Sequence, residues 1–209
     1  MHRLPLALLL VLSILLPVTA AAIEPAGTVT RLQGSATATM PSGFARSLYV
    51  GSTILVGDAL QTSEGARLQV RMSDGGMLTL GENSQMTVEI YDRAETEGSG
   101  LLKAVSGVFL ATSGALAKMA PDRFTIETPS AVLGVRGTEV WGRLADDTST
   151  QVAFLSGTSV LVQTVEGSVE MTEPGTGLTV VAGSAPPPPK MWSAERLAGA
   201  AAAVAFDGD

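Results

Sequence analysis

Between residues 27 and 181 the chain is written in short alternating runs cut by glycine, and this pattern bounds the fold more tightly than any other feature. The run 67–72 shows it cleanly: Leu68, Val70 and Met72 fall on one side, Arg67, Gln69 and Arg71 on the other. A period of two is the mark of an extended strand with one buried face. Ser73-Asp74-Gly75-Gly76 then supplies a hairpin-type turn, and 77–80 answers as the partner strand. Further strand candidates are 27–34, 35–40, 86–91, 105–110, 123–127, 135–141, 150–155, 159–163, 167–171 and 178–181. Strands at this spacing, with glycine near most boundaries, predict an all-β fold, either an irregular β-solenoid-like or a β-sandwich-like array. A loose echo of glycine-led valine units at Gly27, Gly107, Gly157 and Gly167 suits the solenoid, and a sandwich would show much the same pattern.

The ends read differently. Met1-His2-Arg3 is a short basic start, followed by an apolar run from Leu4 to Leu16. Val18-Thr19-Ala20 and Ala20-Ala21-Ala22 both fit the small-x-small cleavage rule, so 1–22 reads as a secretory signal peptide cut after Ala20 or Ala22. The apolar run is short of the roughly 20 residues a spanning helix needs. Residues 23–183 form the expected all-β domain, and 184–209 a Pro-rich linker with a short C-terminal helix. Ser193 is the expected N-cap and 194–205 the expected helix, docked or loose, with Glu195 in its first turn. The tail 207–209 is expected to fray. The segment 93–104 reads as a connection between two halves, and 111–121 as a loop or a turn or two of helix.

Composition removes whole classes of chemistry. There is no cysteine, and the one histidine is His2, inside the leader. A mature chain without either has no Ser-His-Asp or Cys-His nucleophile and no ordinary zinc site. The net charge of −7 argues against nucleic acid, whose affinity rests on clustered Lys and Arg. Carboxylates at Asp58, Asp74, Glu82, Glu89, Glu127 and Glu139 could be paired for glycoside hydrolysis, but no spacing singles out a pair. Asp74-Gly75-Gly76 and the oxygen-bearing Glu82-Asn83-Ser84 lack a calcium-loop run and are explained by turn chemistry. No catalytic residue, metal ligand or cofactor is assigned, and the ligand-binding residues stay unassigned.

The stretch from Thr128 to Trp141 is the most individual: Pro129 follows Thr128, and Gly134-Val135-Arg136-Gly137-Thr138 leads into Glu139-Val140-Trp141. An arginine set among apolar residues needs fixed partners, because its charge cannot be shed. Arg136 is read as fastening backbone carbonyls in a turn between strands; the competing reading is a grip on a ligand's carboxylate or phosphate. Asp58 is read as fixing a turn by accepting backbone N–H bonds, with an acid-pair or ion-ligand role as the alternative. An ion pair between Asp58 and Arg136 is a further option. Trp141 and Met72, Met77, Met86, Met119 and Met171 are assigned to the core.

These segments together resemble the FecR-type periplasmic domain. The similarity rests on Gly57-Asp58 with Thr62, the Asp74-Gly75 turn, Thr128-Pro129, and Arg136-Gly137-Thr138, and runs over 27–183. The resemblance implies an exported, non-catalytic module that binds a protein partner in the cell envelope, in signalling or envelope assembly. A carbohydrate-binding or structural envelope protein is the alternative. Family members in iron-uptake signalling carry a cytoplasmic sigma-factor-binding segment and a membrane helix ahead of this domain. Here a leader stands in their place, so the expectation is a stand-alone form in the bacterial periplasm or outside the cell. The expected partner is an envelope protein or a polysaccharide.

Overall fold

The computed structural model describes residues 25–92, 98–119 and 123–208, so the expected leader lies outside the described residues. Strands take up 59% of the structure and helix 7%, which makes it all-β. The strands join in one sheet that is not closed.

The pairing divides into two runs. The first proceeds from β3 (Ala45–Ser47) through β2 (Ala36–Thr39), β5 (Ala59–Thr62) and β8 (Gln85–Asp92) to the first half of β9 (Ser99–Thr112). It continues through β10 (Phe124–Glu127), the start of β11 (Val132–Asp146) and the end of β12 (Ser149–Thr164) to β13 (Gly167–Met171). The second proceeds from β15 (Lys190–Met191) through β14 (Thr176–Val181), the start of β12 and the end of β11 to the second half of β9. It closes with β7 (Met77–Leu80), β6 (Arg67–Met72), β1 (Pro25–Gln33) and β4 (Thr53–Leu55). Among the described strands only β9 and β10 pair in parallel. Stacked solenoid rungs would pair in parallel throughout, so the arrangement is the sandwich-like one.

Three long strands belong to both layers. β9 pairs with β8 and β10 before Gly107 and with β7 and β11 from there on. β11 and β12 change partners on either side of Gly137 and Gly157. These glycines have φ of +83°, +59° and +110°. Positive φ is closed to most side chains, and a strand that turns a corner between layers needs it. The register shows that β9 crosses at the end of the sandwich opposite to the crossings of β11 and β12.

The core lies between the layers. Leu60, Met86, Leu102, Ile126, Leu133 and Val160 point in from the first, and Val29, Leu68, Leu78, Phe109, Val152 and Val180 from the second. The alternation in β6 holds, with Leu68, Val70 and Met72 buried. A smaller cluster of Val108, Trp141, Ala153, Trp192, Ala200 and Val204 covers the outer face of the second layer. It is closed by α2 (Ala194–Ala202), capped by Ser193, whose hydroxyl accepts from the Arg196 N–H.

Several expectations are corrected. The runs 150–155 and 159–163 are one strand, because Gly157 bends the chain without ending it. The segment 93–104 is not a plain connection: Ser99 onward is already β9, and 93–97 lie outside the described residues. In 111–121 the helical alternative holds as α1 (Ala115–Met119), while the first two residues still belong to β9 and 120–121 lie outside the described residues. Of the expected fraying tail, Asp207 is tied by its N–H, which donates to Gln33 Oε1 at 2.9 Å, next to Phe206, buried beneath the Arg31 guanidinium; residue 209 lies outside the described residues.

Candidate functional site

Asp58 sits at the start of the short strand β5, behind a turn in which its own N–H donates to the Leu55 carbonyl. Gly57, at φ +89°, lets that turn close against Pro41. The carboxylate is fully buried, and its Oδ2 accepts from the Leu55 N–H at 2.7 Å. Its main partner is Arg46 on β3, whose Nη1 donates to Oδ1 at 2.8 Å and whose Nη2 meets Oδ2. The Arg46 Nη2 also donates to the Thr53 carbonyl at 3.0 Å, so one guanidinium ties three segments together. Hydrogen bonding to Asp58 raises the Arg46 pKa above its ordinary value, against the opposing effect of burial. The pairing of Asp58 with Arg136 is therefore replaced by Asp58 with Arg46. Arg46 escaped the sequence reading because β3 is three residues long and shows no alternation.

Asp74 holds a second junction. Its Oδ1 accepts from the Gly76 N–H at 2.9 Å and from the Tyr91 hydroxyl at 2.6 Å. Its Oδ2 accepts from the Leu116 N–H at 3.1 Å, and its backbone carbonyl from the Ala115 N–H at 3.0 Å. One aspartate thus fixes the β6–β7 hairpin, where Gly75 has φ +88°, and also caps α1. All these bonds run to protein groups, which is the turn chemistry expected of it.

The segment 134–138 lies along β11 and not in a turn, so Arg136 stands opposite Ser159 in a strand pair. Its side chain is one third exposed, with Nη1 3.5 Å from the Glu170 carboxylate of β13. Thr138 also fastens the backbone at this point. Its hydroxyl contacts the carbonyl oxygens of Arg136 and Ser159 at 2.7 and 2.8 Å and accepts from the Ser159 N–H at 3.2 Å. Its backbone N–H donates to Ser113 Oγ at 2.7 Å. The bend at Gly137 opens the β11–β12 ladder, and the buried hydroxyl closes it again.

Thr62 repeats the device. Its hydroxyl donates to the Gly81 carbonyl at 2.6 Å and accepts from the Ser84 N–H at 3.0 Å. Ser84 Oγ in turn accepts from the Val108 N–H at 2.9 Å, beside the crossing at Gly107. Pro129 lies in the tight turn closed by Thr128 and Ala131. It lines an open cleft of about 470 Å³ with Val132, Gln163, Val165 and Ala182. Among the described residues no ionisable side chain lines this cleft. Among the described residues no group of three or more His, Cys, Asp or Glu is placed to hold a metal ion. No helix among them is long and apolar enough to cross a membrane.

One surface was not anticipated. Phe44, Tyr49 and Val50 are 64%, 68% and 64% exposed, on either side of β3. Among the described strands β3 pairs only with β2 and so forms a layer edge. The turn after it is held rigidly: the Tyr49 N–H donates to Ser52 Oγ, the Ser52 N–H to the Tyr49 carbonyl, and the Gly51 N–H to the Val29 carbonyl. Leu48 plugs the core beneath, so Tyr49 and Val50 are presented outward by design of the turn. The sequence carried the signal in its Phe44 to Val50 apolar spacing, but nothing there distinguished an inward from an outward face.

The fold and these junctions define an all-β scaffold whose buried polar groups hold its own bends together. The chain belongs to the FecR protein family, whose pattern it matches over residues 58–170. No curated protein matches it in sequence. Two crystal structures of a presumed anti-sigma factor from Parabacteroides distasonis ATCC 8503, at 1.65 and 2.50 Å resolution, share the fold, each with a TM-score of 0.52 and 19% identity. The similarity covers 67% of this chain and 62% of theirs. The β3 corner and the α2 segment both lie outside the family match.

Proposed function

We propose that the chain is an exported, non-catalytic FecR-type module that binds a protein partner in the cell envelope, in signalling or envelope assembly. The observation that carries this reading is the β3 corner. Exposed aromatic and aliphatic side chains flanking an edge strand and its hydrogen-bonded turn are a common mark of a contact surface. An open strand edge beside them adds backbone donors and acceptors for a partner. The neighbours' description as anti-sigma factors supports a signalling setting. Export rests on the basic start, apolar run and cleavage sites within 1–22, and mass measurement of the secreted chain, starting at Ala21 or Ile23, tests it. A polysaccharide ligand is the second reading, favoured by the exposed rings of Phe44 and Tyr49, which would stack on sugar faces.

Immobilised protein and its Phe44→Ser/Tyr49→Ser variant, exposed to envelope extract and to purified peptidoglycan, separate the two. A stoichiometric protein captured by the parent and lost by the variant supports the first reading. Retention on the glycan alone supports the second. Equal capture by parent and variant removes the corner as the site.

A further inference from the structure

The Pro-rich stretch is tied down at both ends. The Ser184 N–H donates to the Val181 carbonyl at 3.2 Å, and at the far end Lys190 of β15 pairs with Gly177 of β14. Prolines 186–189 each fix φ near about −65° and favour the polyproline helix, which turns once every three residues. Burial follows that period. Pro186 and Pro189 are half-buried, whereas Pro187, Pro188, Lys190 and Met191 are exposed. One face of the strip thus lies on the domain and the rest faces solvent. The strip passes the start of β13: a Cβ placed on Gly167 would stand 3.7 Å from the Ala185 Cβ and 4.0 Å from the Pro186 Cδ. The β3 corner, with its exposed Phe44 and Tyr49, stands at the opposite edge of the same layer. The layer runs β3, β2, β5, β8, β9, β10, β11, β12, β13, which puts eight strand spacings of about 4.8 Å between the two edges.

We propose that the β3 corner of one copy docks the 187–191 strip of a second copy, head to tail. Exposed rings and a preformed proline strip are the two halves of a recurring recognition mode. Proline rings lie on aromatic faces, and little entropy is lost because the proline backbone is already set. This chain carries both halves, exposed and on opposite edges, so the contact forms between copies and not within one. Phe44 and Tyr49 stand at most about 17 Å apart along the extended chain, and the strip runs about 12 Å, so one strip reaches both rings. The interface is heterologous: a copy that has used its corner still offers its strip, and assembly does not stop at a dimer. The net charge of −7 makes copies repel, so the contact strengthens as salt screens that charge. The proposal deepens the reading of the corner as a protein contact surface and rests on it, naming a second copy as the partner.

The test uses the full mature chain and two variants altered only at exposed positions, Phe44→Ser/Tyr49→Ser and Pro187→Ser/Pro188→Ser. In sedimentation velocity the parent should show a mean mass that rises with concentration past that of a dimer, and rises further in high salt. Each variant alone should stay monomeric. Mixed, the two should form a one-to-one dimer and nothing larger, because one brings an intact strip and the other an intact corner. A second readout is the isotope-labelled parent titrated with a peptide of residues 184–191: amide shifts confined to 44–50 should saturate, and the same peptide with Pro187→Ser and Pro188→Ser should lose them. A parent that stays monomeric overturns the proposal, as does growth that stops at a dimer or a mixture of folded variants that stays monomeric. Should either variant fail to fold, the parent and the peptide decide, and unshifted amides at 44–50 overturn it. A monomeric parent that captures a different envelope protein through Phe44 and Tyr49 keeps the protein-binding reading and sinks this one.

Discussion

Both oxygens of the Asp58 carboxylate lie on the guanidinium of Arg46, with the carboxylate wholly buried and the guanidinium side chain a quarter exposed. The two ends of this pair are therefore not equivalent. Arg46→Met leaves a buried carboxylate facing only the Leu55 N–H, and should cost about 3–5 kcal/mol. Asp58→Asn leaves a guanidinium that can turn toward water, and should cost about 1–3 kcal/mol. The double variant should recover much of the larger loss. Urea denaturation of the cycle checks this, and equal small losses would make the pair a surface ornament.

Thr138 is expected to matter more to stability than Arg136. Thr138→Val keeps the shape and removes the hydroxyl that rejoins the ladder at the bend. Two carbonyls and the Ser159 N–H lose that partner, at about 1–3 kcal/mol. Thr138→Ser should stay within about 1 kcal/mol, since the oxygen is kept. Arg136→Gln, at a one-third-exposed side chain, should fall near the exposed ion-pair range of about 0–1 kcal/mol. Equilibrium unfolding of the three variants ranks them.

The corner glycines give a sharper contrast. A Cβ at Gly157 would stand 2.2 Å from the Gly137 carbonyl oxygen and 2.6 Å from the Thr138 Cα, both backbone atoms. Gly157→Ala should cost more than the roughly 1–3 kcal/mol of backbone strain alone, or prevent folding. Gly183, at φ +73°, has nothing within 4 Å of the same position. Gly183→Ala should cost only the left-handed strain, about 1–2 kcal/mol. Expression and thermal melting of the two alanine variants test whether close approach, and not φ alone, fixes Gly157.

Acid should release one clip of the β11–β12 hairpin at a pH below the ordinary aspartate range. Asp146 Oδ1 accepts from the Thr148 N–H at 2.8 Å and its hydroxyl at 2.7 Å, and these bonds lower the Asp146 pKa below its ordinary value. A depressed folded pKa means the stabilisation is fully present above the unfolded value, about 3.9. It is lost as pH falls through the lower folded value. The Thr148 amide resonance should therefore titrate with a midpoint below the ordinary aspartate range, and Thr148→Ala should return Asp146 toward it.

What was legible in the sequence followed from local rules. The 67–80 hairpin, the N-cap at Ser193 and the turn role of Asp74 each depend on residues close in the chain. The strand 149–164 was read as two fragments because Gly157 looks like a terminator in sequence, and only the tertiary path shows it as a bend; 135–141 was read through Gly137 but short at both ends. Arg46 and Asp58 meet through a three-residue strand with no periodic signal, so the pair was out of reach. Arg136 drew attention through its apolar setting, yet the burial there belongs to its neighbours Val135 and Thr138. The docking of Trp192 on Trp141 spans the Pro-rich linker, and no local pattern encodes which face a tethered helix will cover.

In an ordinary sandwich the two sheets meet only through side chains, and a sideways load can slide one over the other. Here β9, β11 and β12 pass bodily from one layer into the next, at opposite ends. Shear between the layers would have to stretch continuous backbone at three places. A load on the β3 edge passes through the hydrogen-bonded ladders of β2, β5 and β8 to β9, and there continues in unbroken backbone into the layer that α2 covers.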